Sequence, residues 1–186
     1  DPRWGRGHET YGEDPYLTAT LAVAYVTGMQ GPNPDLPDVI ATPKHFAVHS
    51  GPEPTRHTDN FFVTQHDLED TYLPAFKALI TRAKAQAVMC AYNAVNGLPA
   101  CANPALLSDR LRRDWGFSGH VVSDCAAVAD VYLPTSHAYR KTAAEAFAEV
   151  PTLVAAHPRG DGHTLSVKEL HRALPGLLSL VSARGA

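Results

Sequence analysis

The residue with the clearest chemical potential is Asp124, which directly follows the short apolar stretch His120–Ser123. Such a stretch predicts a buried strand, and in a (β/α) barrel the residue just past the C-terminal end of a strand faces the active site. A carboxylate there serves either as a nucleophile or as a metal ligand. The accompanying segments bring cations and hydrogen-bond donors rather than more carboxylates, which favours an ionised aspartate beside a polyhydroxylated substrate.

Five further residues carry groups suited to such a substrate, namely Arg6, Lys44, His45, Arg56 and Tyr92. Each has a plain structural interpretation when taken singly, as a solvated pair, a core ring or a surface charge. The Lys44-His45 pair and Tyr92 each follow directly after a predicted strand. Because parallel strands deliver such residues to one edge of a sheet, their joint spacing favours a shared site.

A histidine-based metal site is the alternative that these residues leave open. His45 and His49 are four residues apart and His57 is near, a spacing that on a helix would suit a metal ion. The strand predicted before Lys44 makes helical spacing a poor fit, and no carboxylate completes a ligand set between the histidines. We therefore expect no metal and no cofactor, and keep a metal-dependent hydrolase as the third hypothesis.

The composition is that of an ordinary globular domain, with 45% hydrophobic and 19% charged residues among 186. This length suffices for one domain with a real core. The formal net charge of −3 gives no indication of nucleic acid or an anionic membrane as partner. No apolar run approaches the roughly 18 to 20 residues of a membrane span. No signal peptide opens the chain, and the absent initiator Met predicts a fragment or a processed chain.

Three cysteines are too few and too odd in number for a disulfide framework. Cys90 and Cys101 could pair if the parent protein is exported, and the sequence leaves that question open. Cys125, directly after Asp124, could be a thiol nucleophile. Its apolar neighbours instead predict a buried, inert side chain.

Helical and strand-like segments alternate along the chain, which favours a parallel α/β arrangement. Asp14 and Pro15 predict the start of the first helix and Gly31 its end. A capping pair at Thr64 and Asp67 begins the second helix, in which Pro74 predicts a kink. The predicted strands cover 39–43, 87–91 and 120–123, and the predicted helices cover 15–30, about 64–80 and 104 to before Gly116. After about Tyr139 the pattern weakens, leaving an Ala-rich helix over 141–150 and a last helix that begins near Ser166.

Four sequence blocks together resemble glycoside hydrolase family 3, the retaining β-glucosidases and β-xylosidases. They cover residues 1–15, with Arg-Trp-Gly-Arg-Gly-His-Glu at their centre, 41–53 with Lys-His-Phe, 89–93 with Ala-Tyr-Asn, and 122–125 with Ser-Asp-Cys. They stand in the family's order and at similar separations. The resemblance runs from residue 1 to about 132, whereas 133–186 is divergent or partly deleted.

The resemblance implies a fold and a set of roles. It implies that 1–186 is a single incomplete N-terminal domain, a partial (β/α)8 TIM barrel with three to four β/α units. Asp124 falls where the family has its catalytic nucleophile. The family's terminal sugar is bound at the positions of Arg6, Lys44, His45, Arg56 and Tyr92. The acid/base is absent from this chain, since in the family it usually comes from a second α/β domain further along.

The expected function is that of an exo-acting β-glycosidase fragment, which hydrolyses terminal β-linked sugars with retention through a glycosyl-enzyme on Asp124. Its substrate is an oligosaccharide or an aryl or alkyl β-glycoside, with glucose against xylose left open. The main alternative is a catalytically incomplete sugar-binding remnant or a truncated gene product. We expect a parent that is periplasmic or secreted, because it degrades polysaccharide, although the chain itself carries no address.

Overall fold

The computed structural model describes residues 4–33, 36–139 and 142–146. Its first helix, α1, covers Pro15–Gln30. The Asp14 side chain caps it by accepting a hydrogen bond from the Leu17 amide at 2.7 Å, and Gly31 ends it at a φ of 81°. The predicted first helix is therefore confirmed at both ends. Of the helix predicted over 141–150, residues 143–146 are described and are helical, and its other residues, apart from Thr142, lie outside the described residues. The helix predicted from Ser166 lies wholly outside them.

The second helical region is interrupted, as its proline predicts. Thr64 caps the short helix α2, Gln65–Asp67, by accepting from the Asp67 amide at 3.1 Å. A π-type turn over Leu68–Tyr72 follows, and helix α3 covers Pro74–Thr81. Because Pro74 has no amide hydrogen, the regular ladder cannot pass through it and the helix restarts there. Helix α3 lies against α1.

Two parallel strands form the part of the fold that carries the chemistry. Strand β2, Ala87–Cys90, pairs along its whole length with β5, His120–Ser123, so that Cys90 stands opposite Ser123. Since both strands run in the same direction, the residues that follow them emerge at the same edge. Between these strands the chain forms a wide π-type helix over Ala105–Asp114, and after β5 it forms helix α4, Ala127–Tyr132.

A small second sheet surrounds a predicted turn. Strand β1, Asn60–Phe61, pairs in parallel with β3, Ala94–Val95, and β3 forms a hairpin with β4, Leu98–Pro99. Asn96 and Gly97 connect the hairpin with φ values of 52° and 88°. These are the left-handed conformations that an Asn-Gly pair adopts most readily, so the predicted turn is confirmed. The short strands on either side of it were not predicted.

The prediction of a regular strand over 39–43 is wrong. Val39 and Ile40 are about half exposed, and the segment joins the sheet at its end, where the Met89 amide donates to the Pro43 carbonyl at 3.0 Å and Phe46 then forms a single bridge to Cys90. There the Phe46 amide donates to the Met89 carbonyl at 2.7 Å, and the Ala91 amide donates to the Phe46 carbonyl at 2.9 Å. Proline at 37 and 43 removes the amide donors that a longer ladder would need. The Lys44–His45 and Phe46–Ala47 peptide bonds are cis.

The core lies between these strands and the helices. Phe46 is fully buried and meets Phe76 and Trp115 edge to face, with ring centroids 5.1 and 5.8 Å apart. Cys90 and Cys101 form a disulfide that ties the end of β2 to the 3₁₀ turn Ala100–Ala102. Among the described residues, no helix is long and apolar enough to cross a membrane.

Cys125 differs from its prediction. Its side chain was expected to be buried, but the structure leaves it exposed and unbridged. Its apolar neighbours Val121, in β5, and Ala127, in α4, are buried in the core. Cys125 lies in the turn that connects this strand to this helix, and its side chain faces solvent. A residue in a tight connection does not share the burial of the strand before it or the helix after it.

Candidate functional site

The carboxylate of Asp124 is the centre of the site. The residue directly follows β5, is only 8% exposed, and its amide donates to the Cys90 carbonyl at the end of β2 at 3.3 Å. One oxygen, Oδ1, accepts a hydrogen bond from the Cys125 amide at 2.8 Å. The other, Oδ2, is buried and has no hydrogen-bond partner among the described residues. A buried, unpaired carboxylate oxygen is costly to maintain and is typical of a reactive group.

His45 lies directly against that free oxygen. Its Nε2 is 3.0 Å from Asp124 Oδ2 and 3.2 Å from Arg6 Nη2. Burial lowers the pKa of His45 to about 4, with His49, Arg6 and Lys44 acting in the same direction and Asp124 opposing them. The imidazole is therefore neutral near neutral pH. Nε2 thus faces one donor, Arg6, and one acceptor, Asp124. A neutral imidazole nitrogen can accept from the guanidinium or donate to the carboxylate, according to the tautomer, but it cannot do both.

The two cations beside His45 share one acidic partner, Glu9. Arg6 donates from Nε and Nη2 to the two Glu9 oxygens at 2.7 and 3.0 Å, and Lys44 Nζ lies 2.9 Å from Oε2. Hydrogen bonds from Arg6 and Lys44 lower the pKa of Glu9 to about 2. Sequence reasoning missed Glu9 as a site residue. The available signal was its place three residues after Arg6, in the 3₁₀ turn Gly7–Glu9.

Tyr92 forms the opposite wall. It follows β2, is 5% exposed, and has the Arg56 guanidinium carbon 4.9 Å from its ring centroid. Burial raises the pKa of the Tyr92 phenol to about 12, and a hydrogen bond to Asp124 and the charge of Asp124 act in the same direction. The phenol is therefore a proton donor throughout the physiological range. Arg56 in turn forms an ion pair with Glu53.

All six sequence-predicted residues thus belong to one connected cluster. The contacts run from Lys44 through Glu9 and Arg6 to His45, then to Asp124, Tyr92 and Arg56. A cavity of about 890 Å³ borders the cation side of this cluster, and its lining includes Glu9, Lys44, His45 and His49.

A second set of residues escaped the sequence reasoning. Asp130 of α4 is 3% exposed and holds His57 Nδ1 at 2.7 Å through Oδ2, while its Oδ1 accepts from Ser136 Oγ at 2.9 Å. His137 Nε2 donates to the Tyr92 carbonyl at 2.7 Å. Nothing in the local sequence pattern indicates the contact between His57 and Asp130 or the contact between His137 and Tyr92, because these partners lie 73 and 45 positions apart.

The three histidines of the metal hypothesis do not form a ligand set. His45 and His49 meet edge to face with ring centroids 4.9 Å apart, whereas the His57 ring contacts Arg56 and Asp130. Burial lowers the pKa of His49, with the charge of Arg6 acting in the same direction. Within the described residues, no group of three or more His, Cys, Asp or Glu side chains is arranged to hold a metal ion.

Comparison with known proteins gives consistent similarities. A model of the glycosyl hydrolase family 3 N-terminal domain matches residues 1–149. A xylan 1,4-β-xylosidase from Xylanibacter ruminicola is 54% identical over 134 residues, which cover 71% of this chain and 16% of that enzyme. The chain spans about a fifth, or less, of the length of the curated relatives that it matches.

Solved structures extend the likeness to the fold. A family 3 exo-β-xylosidase in complex with a xylobiose aziridine activity-based probe superposes with a TM-score of 0.78 at 40% identity, over 83% of this chain and 20% of that one. A β-glucosidase from Erythrobacter marinus superposes with a TM-score of 0.77 at 34% identity, over 96% of this chain and 23% of that one. These neighbours confirm the predicted α/β class and the partial (β/α)8 barrel.

Proposed function

The chain belongs to glycoside hydrolase family 3, and from this premise we propose that the protein containing it is an exo-acting β-glycosidase. Its similarity to a β-xylosidase and to a β-glucosidase supports hydrolysis of a terminal β-linked sugar. We propose the β-xyloside as the first substrate to test, because the 54% identical relative is named a xylan 1,4-β-xylosidase. A β-glucoside is the competing substrate.

The single observation that carries this proposal is the state of the Asp124 carboxylate. Its Oδ1 accepts from the Cys125 amide, and its Oδ2 has no hydrogen-bond partner on the residues that the structure describes, at the edge where two parallel strands end. A nucleophile needs this combination, since a held carboxylate with a free lone pair loses little entropy or hydrogen bonding on attack. A carboxylate with a purely structural role would have both oxygens paired.

In the proposed reaction, Asp124 Oδ2 attacks the anomeric carbon and the bond to the leaving oxygen breaks. An acid from another part of the whole protein protonates that oxygen, and a glycosyl-enzyme ester forms. Water, deprotonated by the same group, then releases the sugar with retained configuration. The carboxyl pair of a retaining enzyme stands roughly 5 to 5.5 Å apart, and we propose that the second carboxyl group comes from a part of the whole protein outside the described residues.

The remaining site residues support the sugar and the nucleophile. Lys44 and the two arginines offer donors to sugar hydroxyls, and such bonds strengthen as charge develops at the anomeric carbon. His45 is neutral near neutral pH, so it carries no positive charge that would form an ion pair with the Asp124 carboxylate and make that carboxylate less nucleophilic. Tyr92 keeps its phenolic proton and can donate it to the carboxylate as a hydrogen bond. We also propose that the whole protein is exported, because a polysaccharide substrate lies outside the cell.

The decisive experiment substitutes the nucleophile in the whole protein. Asp124→Ala should lower kcat for an aryl β-xyloside by roughly 10⁴-fold, because the covalent route is lost. Asp70→Ala, an exposed carboxylate on the π-type turn Leu68–Tyr72, is the matched control and should change kcat less than about twofold. Full activity of the Asp124→Ala variant would refute the assignment.

A trapping experiment identifies both the nucleophile and the sugar. A 2-fluoro β-xyloside and a 2-fluoro β-glucoside, each with an activated leaving group, are incubated with the protein and its intact mass is measured. The activated leaving group needs no acid, so the trap reports on Asp124 alone. One sugar adduct that maps to Asp124 supports the proposal and names the specificity. An adduct on any other residue would contradict it.

A further inference from the structure

We propose that His57 and Asp130 are positioning residues that hold the Arg56 guanidinium in place beside Tyr92. The inference deepens the proposed function, because it assumes that Arg56 binds the terminal sugar. The hydrogen bonds that support the inference are present whether or not Arg56 binds the sugar. Three hydrogen bonds on the described residues carry it, each with a buried or half-buried partner: from Ser136 to Asp130, from His57 to Asp130 and from Arg56 to His57.

The direction of each hydrogen bond follows from the chemistry of the donors. Arg56 Nε lies 3.1 Å from His57 Nε2, and a guanidinium nitrogen only donates. His57 Nε2 therefore has a free lone pair, and the proton of the neutral ring is on Nδ1. That proton points to Asp130 Oδ2 at 2.7 Å, where the carboxyl oxygen accepts the hydrogen bond. Asp130 thereby selects the one tautomer of His57 that can accept from Arg56.

Asp130 is itself fixed more firmly than a surface carboxylate. It is 3% exposed and lies on α4, and its Oδ1 accepts from Ser136 Oγ at 2.9 Å. Its carbonyl accepts from the His137 amide at 3.1 Å, which folds the following turn back over the helix. Both carboxylate oxygens are therefore occupied, in contrast with Asp124. This pairing is typical of a group that orients another residue rather than one that reacts.

The arrangement reaches the sugar site through two neighbouring contacts on Tyr92. The His57 ring lies 4.4 Å from the Tyr92 ring, and the Arg56 guanidinium carbon lies 4.9 Å from the same ring. His137 fixes the Tyr92 backbone by donating to its carbonyl at 2.7 Å. Arg56 is an exposed-loop residue whose other partner, Glu53, is on the surface. Without His57, the contacts of the guanidinium among the described residues would be that solvent-screened pair and the face of the Tyr92 ring, neither of which fixes the orientation of Nε.

Two substitutions test separately the two roles of the His57 side chain, as acceptor of the hydrogen bond from Arg56 and as donor of the hydrogen bond to Asp130. His57→Gln can put its amide oxygen near the former Nε2, where it still accepts from Arg56. His57→Asn reaches only the position of Nδ1, so it keeps a donor to Asp130 and loses the acceptor. In the whole protein we expect His57→Asn to raise KM about tenfold and His57→Gln about threefold or less, with kcat less affected in both.

Nitrogen-detected NMR of the imidazole in the full chain tests the tautomer directly. We expect a protonated Nδ1 and a bare Nε2 for His57, and loss of that single tautomer in Asp130→Ala. A protonated Nε2, or equal KM values for the two His57 variants, would overturn the positioning role. Failure of the proposed function gives another pattern, because activity would then survive Asp124→Ala while the NMR result for His57 stays as expected.

Discussion

The two halves of the site are held in different ways. Asp124 and Tyr92 follow β5 and β2, whose ladder is in register from Ala87 to Cys90, so the backbone itself fixes where these side chains begin. Arg6, Lys44 and Arg56 lie on irregular segments, where ion pairs with Glu9 and Glu53 and a hydrogen bond to His57 hold them.

This difference separates two kinds of robustness. The strand-borne half depends on core packing and backbone pairing, so damage to it should appear as lost stability. The loop-borne half depends on exposed or half-exposed polar contacts, which contribute little to stability but restrict where long cationic side chains can point. Damage there should appear as weaker substrate binding in a protein that is still folded.

The largest effect is expected from removing the disulfide at the end of β2. The double substitution Cys90→Ala and Cys101→Ala should lower the free energy of unfolding by about 3 kcal/mol, because a covalent link that restricts the unfolded chain is lost. Urea unfolding of the oxidised protein measures it. Cys125→Ala removes an exposed, unbridged thiol and should change stability by less than about 0.5 kcal/mol. Equal stability of the double variant and the parent would contradict the prediction.

A smaller effect is expected where the two strands begin. A Cβ at Gly119 would overlap the Gln86 carbonyl, directly before the first residues of the β2–β5 ladder, Ala87 and His120. Gly119→Ala should therefore lower the free energy of unfolding by about 2 kcal/mol. Gly28→Ala is the control, because a Cβ there meets no other atom, and alanine inside α1 should stabilise by about 0.5 to 1 kcal/mol. If Gly119→Ala stabilised the protein as Gly28→Ala does, the close approach of the Gln86 carbonyl to position 119 would not restrict the side chain there.

The smallest change in stability is expected from Glu9→Gln, which removes the shared partner of Arg6 and Lys44. We expect KM to rise about tenfold and the free energy of unfolding to change by less than about 1 kcal/mol. Glu69→Gln is the matched control, since it breaks an exposed pair with Arg110 away from the site and should leave KM unchanged. A large loss of stability without a change in KM would refute the division between the two halves.

The same contact gives a pH dependence with a defined sign. The pKa of Glu9 is lowered from 4.5 to about 2, so its contacts to Arg6 and Lys44 are complete above pH 4.5 and are lost as the pH falls toward 2. The KM of the parent protein should therefore rise as the pH falls from 4.5 toward 2, because Glu9 becomes protonated. The Glu9→Gln variant cannot be protonated there, so its KM should rise less over the same pH range, as steady-state kinetics at each pH would show.

The sequence predicted the strand-borne half better than the loop-borne half. β2 and β5 were read from short apolar runs, and the residues that follow them are the ones that meet in the structure. The segment 39–43 misled the same reasoning, because its apolar residues are followed and preceded by prolines that prevent a ladder. Glu9 was missed since an acidic residue in a short turn resembles any solvated charge.

The sequence by itself determined the family, the α/β class and the positions of Asp124, Tyr92 and the cations along the chain. Local patterns determine these because helix caps, apolar runs and long motifs are written in neighbouring residues. Only the tertiary structure decided which carboxylate oxygens of the site accept hydrogen bonds from other residues and which do not. Within the described residues, both carboxylate oxygens of Asp130 accept hydrogen bonds, whereas Asp124 Oδ2 has no hydrogen-bond partner. This difference depends on contacts such as that of Asp130 with His57, 73 positions away, which form only when the chain folds.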